Sequence, residues 1–191
     1  MIQRFSNNPV IRACDVKPAR DDFEVMCAFN AGAAQYDGET VLLVRVAERP
    51  LPQAGCVATA VFDAGTGRVE PMYVSLDDPD LEMDDPRVFA YRGTLYLTSI
   101  SHLRLASSPD GHTFTIDDQP ALAPANDYEA YGIEDARITP TGDWFYVNYS
   151  AISLRGVCTV LARTRDFRDF ERLGIIFPPD NKDIALFPEA V

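Results

Sequence analysis

Asp85-Pro86-Arg87-Val88 returns 50 residues later as Asp135-Ala136-Arg137-Ile138, with an acid and a base at the same spacing in each copy. Repeated pairs of this kind have two readings. Each is a staple between neighbouring repeats, or each aims polar groups at a pocket the repeats share. For Asp85 and Arg87 the two readings stand even. For Asp135 and Arg137 the second is favoured, because Glu134 adds a carboxyl group next door and Tyr128 and Tyr131 lead into the motif. Sugars bind well to such mixtures of carboxylate and aromatic side chains, and a carboxyl group beside a leaving oxygen can act as its general acid. A weaker, earlier copy, Asn30-Ala31-Gly32-Ala33, puts an amide where the later copies have acids.

Other reactive side chains are sparse. Arg45 ends the apolar run Val41 to Val44 and, taken alone, reads as a surface arginine at a strand end. Lys182, between Asn181 and Asp183, reads alone as a solvated lysine. The two histidines are His102 and His112, and the latter sits in a turn-like Pro109-Asp110-Gly111-His112, so neither a histidine-based metal site nor a Ser-His-Asp triad is expected. No metal and no organic cofactor is assigned. Cys14, Cys27, Cys56 and Cys158 are scattered without a CxxC pair, as befits reduced, buried thiols in a cytoplasmic protein. A net charge of −12 and a pI near 4.5 disfavour nucleic acid and anionic membrane as partners, since both reward clustered Lys and Arg. No apolar run approaches the roughly 20 residues of a membrane helix, and the N-terminus lacks the apolar stretch of a signal peptide.

The elements that must position these residues read as strands. Short runs rich in β-branched and aromatic residues recur between Gly, Pro, Asp and Asn, for example Thr40 to Val44, Leu95 to Ile100, Trp144 to Tyr149 and Cys158 to Ala162. Tyr96 and Tyr146 keep the 50-residue offset. Ser108-Pro109-Asp110 with Phe114 returns as Thr164-Arg165-Asp166 with Phe170, 56 residues on. An all-β chain with a period near 50 residues points to a β-propeller with one four-stranded blade per repeat. A tandem β-sandwich explains the strands but not the recurring Asp-x-Arg. Residues 1–191 are read as one propeller domain, with blades opening near 30, 85, 135 and 185, that is, three blades and the start of a fourth. A propeller needs at least four blades to close, so the chain is expected to be the N-terminal part of a larger propeller.

At these residues the sequence resembles glycoside hydrolase family 130, the β-mannoside phosphorylases and related mannosidases. The resemblance runs through Asn8-Pro9-Val10-Ile11, Phe29 to Ala33, Leu42-Leu43-Val44-Arg45, Tyr131 to Thr139, Thr164 to Phe167, Phe170 to Gly174 and Asn181 to Glu189. It implies a five-bladed propeller. It implies that Asp135 matches the family's catalytic acid, that Asn30 and Arg45 match positions holding the sugar, and that Lys182 falls where a basic residue helps bind phosphate. Asp85 and Arg137 join the expected substrate-binding set as members of the repeated element. Ala31 and Ala136 stand where the family commonly has proline.

The reaction so implied is transfer of a mannosyl group from a β-mannoside, a mannobiose or manno-oligosaccharide, to inorganic phosphate as co-substrate, giving α-mannose 1-phosphate. A phosphorylase needs an acid and an anion pocket, because phosphate is itself the nucleophile. In the family the proton is thought to pass through a sugar hydroxyl. The alternatives are an inverting β-mannosidase, which would use water and need a second carboxylate as base, and a non-catalytic sugar-binding propeller. Glu134 and Glu189 are the nearby acids for the first alternative, and neither recommends itself. A homo-oligomer is compatible with the sequence.

Overall fold

A computed structural model describes residues 4–189. The chain is all-β, and among the described residues it has two single-turn 3-10 helices, Ala13–Asp15 and Asp127–Glu129. The described residues form thirteen strands, in chain order β1 Phe23–Tyr36, β2 Glu39–Pro50, β3 Cys56–Asp63, β4 Arg68–Ser75, β5 Leu81–Asp85, β6 Val88–Tyr91, β7 Thr94–Leu97, β8 Ile100–Ser108, β9 Thr115–Ile116, β10 Ile133–Thr141, β11 Trp144–Ser153, β12 Gly156–Thr164 and β13 Glu171–Phe177. Among the described residues no helix is long and apolar enough to cross a membrane.

Two antiparallel four-stranded sheets frame the molecule, in the orders β1-β2-β8-β9 and β10-β11-β12-β13. Their facing surfaces make the main core. Val41, Leu43, Leu103 and Leu105 from the first sheet meet Ile133, Ala136, Val147, Tyr149 and Ala151 from the second. Burial of such apolar side chains on one pleated face is what fixes strand register, since a one-residue slip would turn the whole set outward. The β1–β2 hairpin closes on Asp37-Gly38, both at positive φ (49° and 80°), as a two-residue turn matched to strand twist requires.

The two sheets are equivalent in detail. β8 and β12, each third in its sheet, end in the same side-chain-locked turn. Ser108 Oγ donates to Asp110 Oδ1 (2.8 Å), which also accepts from the amides of His112 and Thr113. Thr164 Oγ1 pairs with Asp166 Oδ1 (3.2 Å), which accepts from the amides of Arg168 and Asp169. The repeat at 108 and 164 therefore marks structurally matching places.

The repeat at 85 does not. Asp85 was expected to open a blade, but it ends β5 in a three-stranded meander, β5-β6-β7, that forms no four-stranded sheet. This meander and the β3–β4 hairpin together lie between β2 and β8 in sequence and interrupt the first sheet. They share a small core of Val57, Val74 and Phe89. The expected strand Leu95 to Ile100 is split, with β7 in the meander and β8 returning to pair with β2 from Thr40↔Ser108 to Glu48↔Ile100. The cause is non-local: the run bends at Thr98 and Ser99, and the β2 ladder captures the chain from Ile100 onward. The unit expected near 185 shows no strand among the described residues. Instead, Asn181 to Leu186 lies along the second sheet, with Asn148 donating to the Ile184 carbonyl and Thr139 to the Leu186 carbonyl. Ala190 and Val191 lie outside the described residues.

Candidate active site

The first strands of the two sheets share a break in register, and β1 carries a second one between Val25 and Cys27. At the shared break β1 slips between Phe29 and Gly32, and β10 between Glu134 and Arg137. In each bulge the polar residue takes a left-handed backbone, with φ of 47° at Asn30 and 54° at Asp135. Asn and Asp tolerate that region better than other non-glycine residues, and a bulge re-aims the side chain it carries. The result is that Asn30 and Asp135, 105 residues apart, face each other, Asn30 Nδ2 donating to Asp135 Oδ1 at 3.1 Å.

Arg45 completes the cluster from β2. It pairs with Phe29 in the ladder, and its guanidinium lies over the Phe29 ring, 4.5 Å from the centroid. Nη1 donates to Asp135 Oδ1 (3.0 Å), Nη2 to Glu134 Oε1 (2.5 Å) and Nε to Ser101 Oγ (3.2 Å). The side chains of Arg45, Glu134 and Asp135 are each about four-fifths covered, with relative exposures of 17%, 20% and 20%. Burial pushes the Glu134 carboxyl above its ordinary range. Arg45 opposes that shift, Asp135 adds to it, and Lys182 opposes it at longer reach. Among the described residues, both side-chain donors to Asp135 fall on Oδ1.

Two glycines make this approach possible. Gly132 forms an isolated bridge with Ser101, and a methyl group there would lie 2.6 Å from the Ser101 amide nitrogen. Gly32 lies as close to β10, at Ala136.

Of the residues singled out in the sequence, the structure brings together Asn30, Arg45 and Asp135. Lys182 is exposed and close enough for its charge to act on Glu134. Arg137 is exposed, and among the described residues no side-chain hydrogen bond joins it to the cluster. Asp85 is not among the partners of Asp135. It pairs with its own Arg87 (2.6 and 3.0 Å), which holds the Asp85 carboxyl down at about 2. The aromatic approach expected from Tyr128 and Tyr131 takes another form. Tyr131 is buried, its ring beside Tyr96 and its hydroxyl donating to the Leu95 carbonyl (2.7 Å). Tyr128 lies beneath Arg155. Phe29 is instead the ring in the cluster. Sequence reasoning missed Ser101 and Phe29 as site residues, because cross-strand pairing alone brings them to Arg45.

Comparison with known proteins places this geometry in a family. Residues 74–189 match the family described as beta-1,4-mannooligosaccharide phosphorylase. The chain belongs to that family, glycoside hydrolase family 130. It is 45% identical over 195 residues to a beta-1,2-mannobiose phosphorylase of Listeria innocua, covering 100% of this chain and 55% of the relative. The solved structure of a Listeria innocua beta-1,2-mannobiose phosphorylase, in complex with beta-1,2-mannobiose, superposes with a TM-score of 0.91 over 98% of this chain and 55% of that one. A 1,2-beta-oligomannan phosphorylase of Thermoanaerobacter sp. is 34% identical over 97 residues, 48% of this chain and 32% of its own. The chain spans about half the length of the Listeria relative, or less of the other.

Proposed function

We propose that this protein is an inverting β-mannoside phosphorylase acting on β-1,2-linked mannobiose or short manno-oligosaccharides, with Asp135 as proton donor. The observation that carries the reading is the hold on Asp135: Asn30 and Arg45 both donate to Oδ1, in a chain 45% identical to a beta-1,2-mannobiose phosphorylase. The linkage follows the relatives similar over most or half of the chain, both of which act on β-1,2 bonds by name.

In the proposed reaction the bond from the anomeric carbon to the glycosidic oxygen breaks, and that oxygen takes a proton originating at Asp135. A phosphate oxygen attacks the anomeric carbon from the opposite face, giving α-mannose 1-phosphate and a saccharide shorter by one unit. Asn30 and Arg45 orient the acid and the sugar, Lys182 contributes to holding the phosphate, and Asp85 and Arg137 remain candidates for outlying contacts. The two four-stranded sheets are read as blades of a five-bladed propeller whose other blades correspond to the relatives' additional length. Work in the cytoplasm fits the four unpaired cysteines.

The test is incubation with β-1,2-mannobiose in the presence and absence of inorganic phosphate. α-Mannose 1-phosphate appearing with phosphate, and no turnover without it, is the expected result. Mannose released at the same rate in both reactions makes water the nucleophile and overturns the reading.

A further inference from the structure

Arg45 is shared between two carboxyl groups that are neighbours in the chain. Its Nη1 reaches Asp135 and its Nη2 reaches Glu134, while Nε is tied to Ser101 and the plane is fixed on Phe29. An arginine facing a single carboxylate closes on it with two parallel hydrogen bonds, the geometry that most strongly favours the ionised acid. Here that closure is blocked, because Glu134 takes the second nitrogen. We propose that Glu134 is a positioning residue that acts through Arg45, drawing one arm of the guanidinium away from Asp135 so that Asp135 is oriented by Arg45 without being locked as its ion-pair partner.

The surroundings leave this task to Glu134. Among the described residues, the cations whose charge acts on Glu134 are Arg45 from β2 and Lys182 from the segment after β13, and the cation bonded to Asp135 is Arg45. β1 offers the neutral Asn30 and β8 the neutral Ser101. Asp135 therefore has one close cation, and Glu134 is the group that divides it. Burial of Glu134 among these groups keeps the division in place, since a side chain four-fifths covered and bonded at 2.5 Å has little freedom to leave.

The inference rests on Asp135 being the acid, and its test separates the two ideas. Carbon-13 titration of the Asp135 carboxyl is followed by NMR in the parent chain, Glu134→Ala and Glu134→Gln, and the pH dependence of β-1,2-mannobiose phosphorolysis is recorded for each. In Glu134→Ala the Asp135 midpoint moves to lower pH, the alkaline limb of the rate profile moves with it, and kcat falls by about 10²-fold, as for a misplaced acid. Glu134→Gln keeps an acceptor for Nη2, so its midpoint moves less and its kcat stays within about tenfold of the parent. An unmoved midpoint in Glu134→Ala overturns the proposal. So does a Glu134→Gln midpoint displaced as far as that of Glu134→Ala, because charge alone would then account for the effect. A chain whose Asp135 midpoint responds to Glu134→Ala as stated, yet whose parent makes no α-mannose 1-phosphate, refutes the proposed function and leaves the division of Arg45 standing.

Discussion

Gly32 and Ala136 meet backbone to backbone where β1 crosses β10: a methyl group on Gly32 would lie 2.7 Å from the Ala136 carbonyl oxygen and 3.1 Å from Ile138 Cγ1. A carbonyl in a strand cannot swing aside as a flexible side chain can. Gly32→Ala must therefore push the first strands of the two sheets apart, beside both bulges. Overpacking of this kind costs about 1–3 kcal/mol, and each kcal/mol lowers Tm by about 2–4 °C in a chain of this size. Thermal unfolding checks that loss. Turnover should fall further than stability explains, because separation stretches the 3.1 Å bond from Asn30 to Asp135.

Asp135→Asn keeps the size of the side chain and an oxygen for Asn30 and Arg45 while removing the transferable proton. General acid help is worth typically about 10²–10⁴-fold, so kcat should drop on that scale with an unchanged far-ultraviolet spectrum. A substrate with a good leaving group, such as an aryl β-mannoside, should lose much less, since its departing oxygen needs little protonation. Equal losses on both substrates would remove Asp135 from the acid role.

The strand content was legible in composition and spacing, and so was the turn shared by Ser108 and Thr164, because a side-chain-locked turn is written in four consecutive residues. The pairing of strands was not. Asp85-Pro86-Arg87 has the same letters as the Asp135 element, but what a strand becomes depends on its ladder partner, and β2 recruits β8 across the whole β3–β7 insertion. For the site, Asn30 and Asp135 were visible as a repeated polar position, and the left-handed backbone that both adopt explains why Asn and Asp occupy it. Arg45 came from family resemblance. Ser101 and Phe29 were invisible because register, not local sequence, brings them to Arg45. Tyr131 misled because an aromatic beside an acid motif looks the same whether it packs inward or stacks on a sugar.

His102 is buried with its ring nitrogen accepting from Arg104 Nε at 3.3 Å, and burial, reinforced by the charge of Arg104, depresses it to about 3. The folded state thus holds this imidazole neutral where an unfolded chain would protonate it below about 6.5. Between those values the unfolded state binds more protons, so stability is full above pH 6.5 and falls as the pH drops toward 3. Glu48, whose carboxyl is pushed up by burial in the same cluster, contributes in the opposite sense above its ordinary range. Comparison of the parent with His102→Gln cancels that contribution, since Gln also presents an acceptor to Arg104. The variant should show a smaller loss of Tm between pH 6.5 and pH 4. Parallel curves would mean that His102 does not set the slope.

Glu129 is fully buried and every lone-pair direction is used: Tyr149 donates to Oε1 at 2.7 Å, the Ala125 amide to Oε2 at 2.7 Å, and Arg172 reaches both oxygens at 3.2 and 3.3 Å. Burial, with Glu129 adding to it, raises the Tyr149 phenol well above its ordinary range, so it remains a neutral donor. Arg172 also holds the Ala123 carbonyl (2.5 Å) and so fastens the segment that leads into Glu134 and Asp135. Arg172→Met fills similar space but leaves a buried carboxylate without its counter-charge, which costs about 3–5 kcal/mol. Urea unfolding at neutral pH measures that deficit against the parent. Arg172→Lys restores the charge but cannot span both oxygens, and should fall between the two. If Arg172→Met unfolds with the parent at neutral pH, the cation is dispensable, and the hydrogen bonds from Tyr149 and Ala125 are enough to keep Glu129 in place.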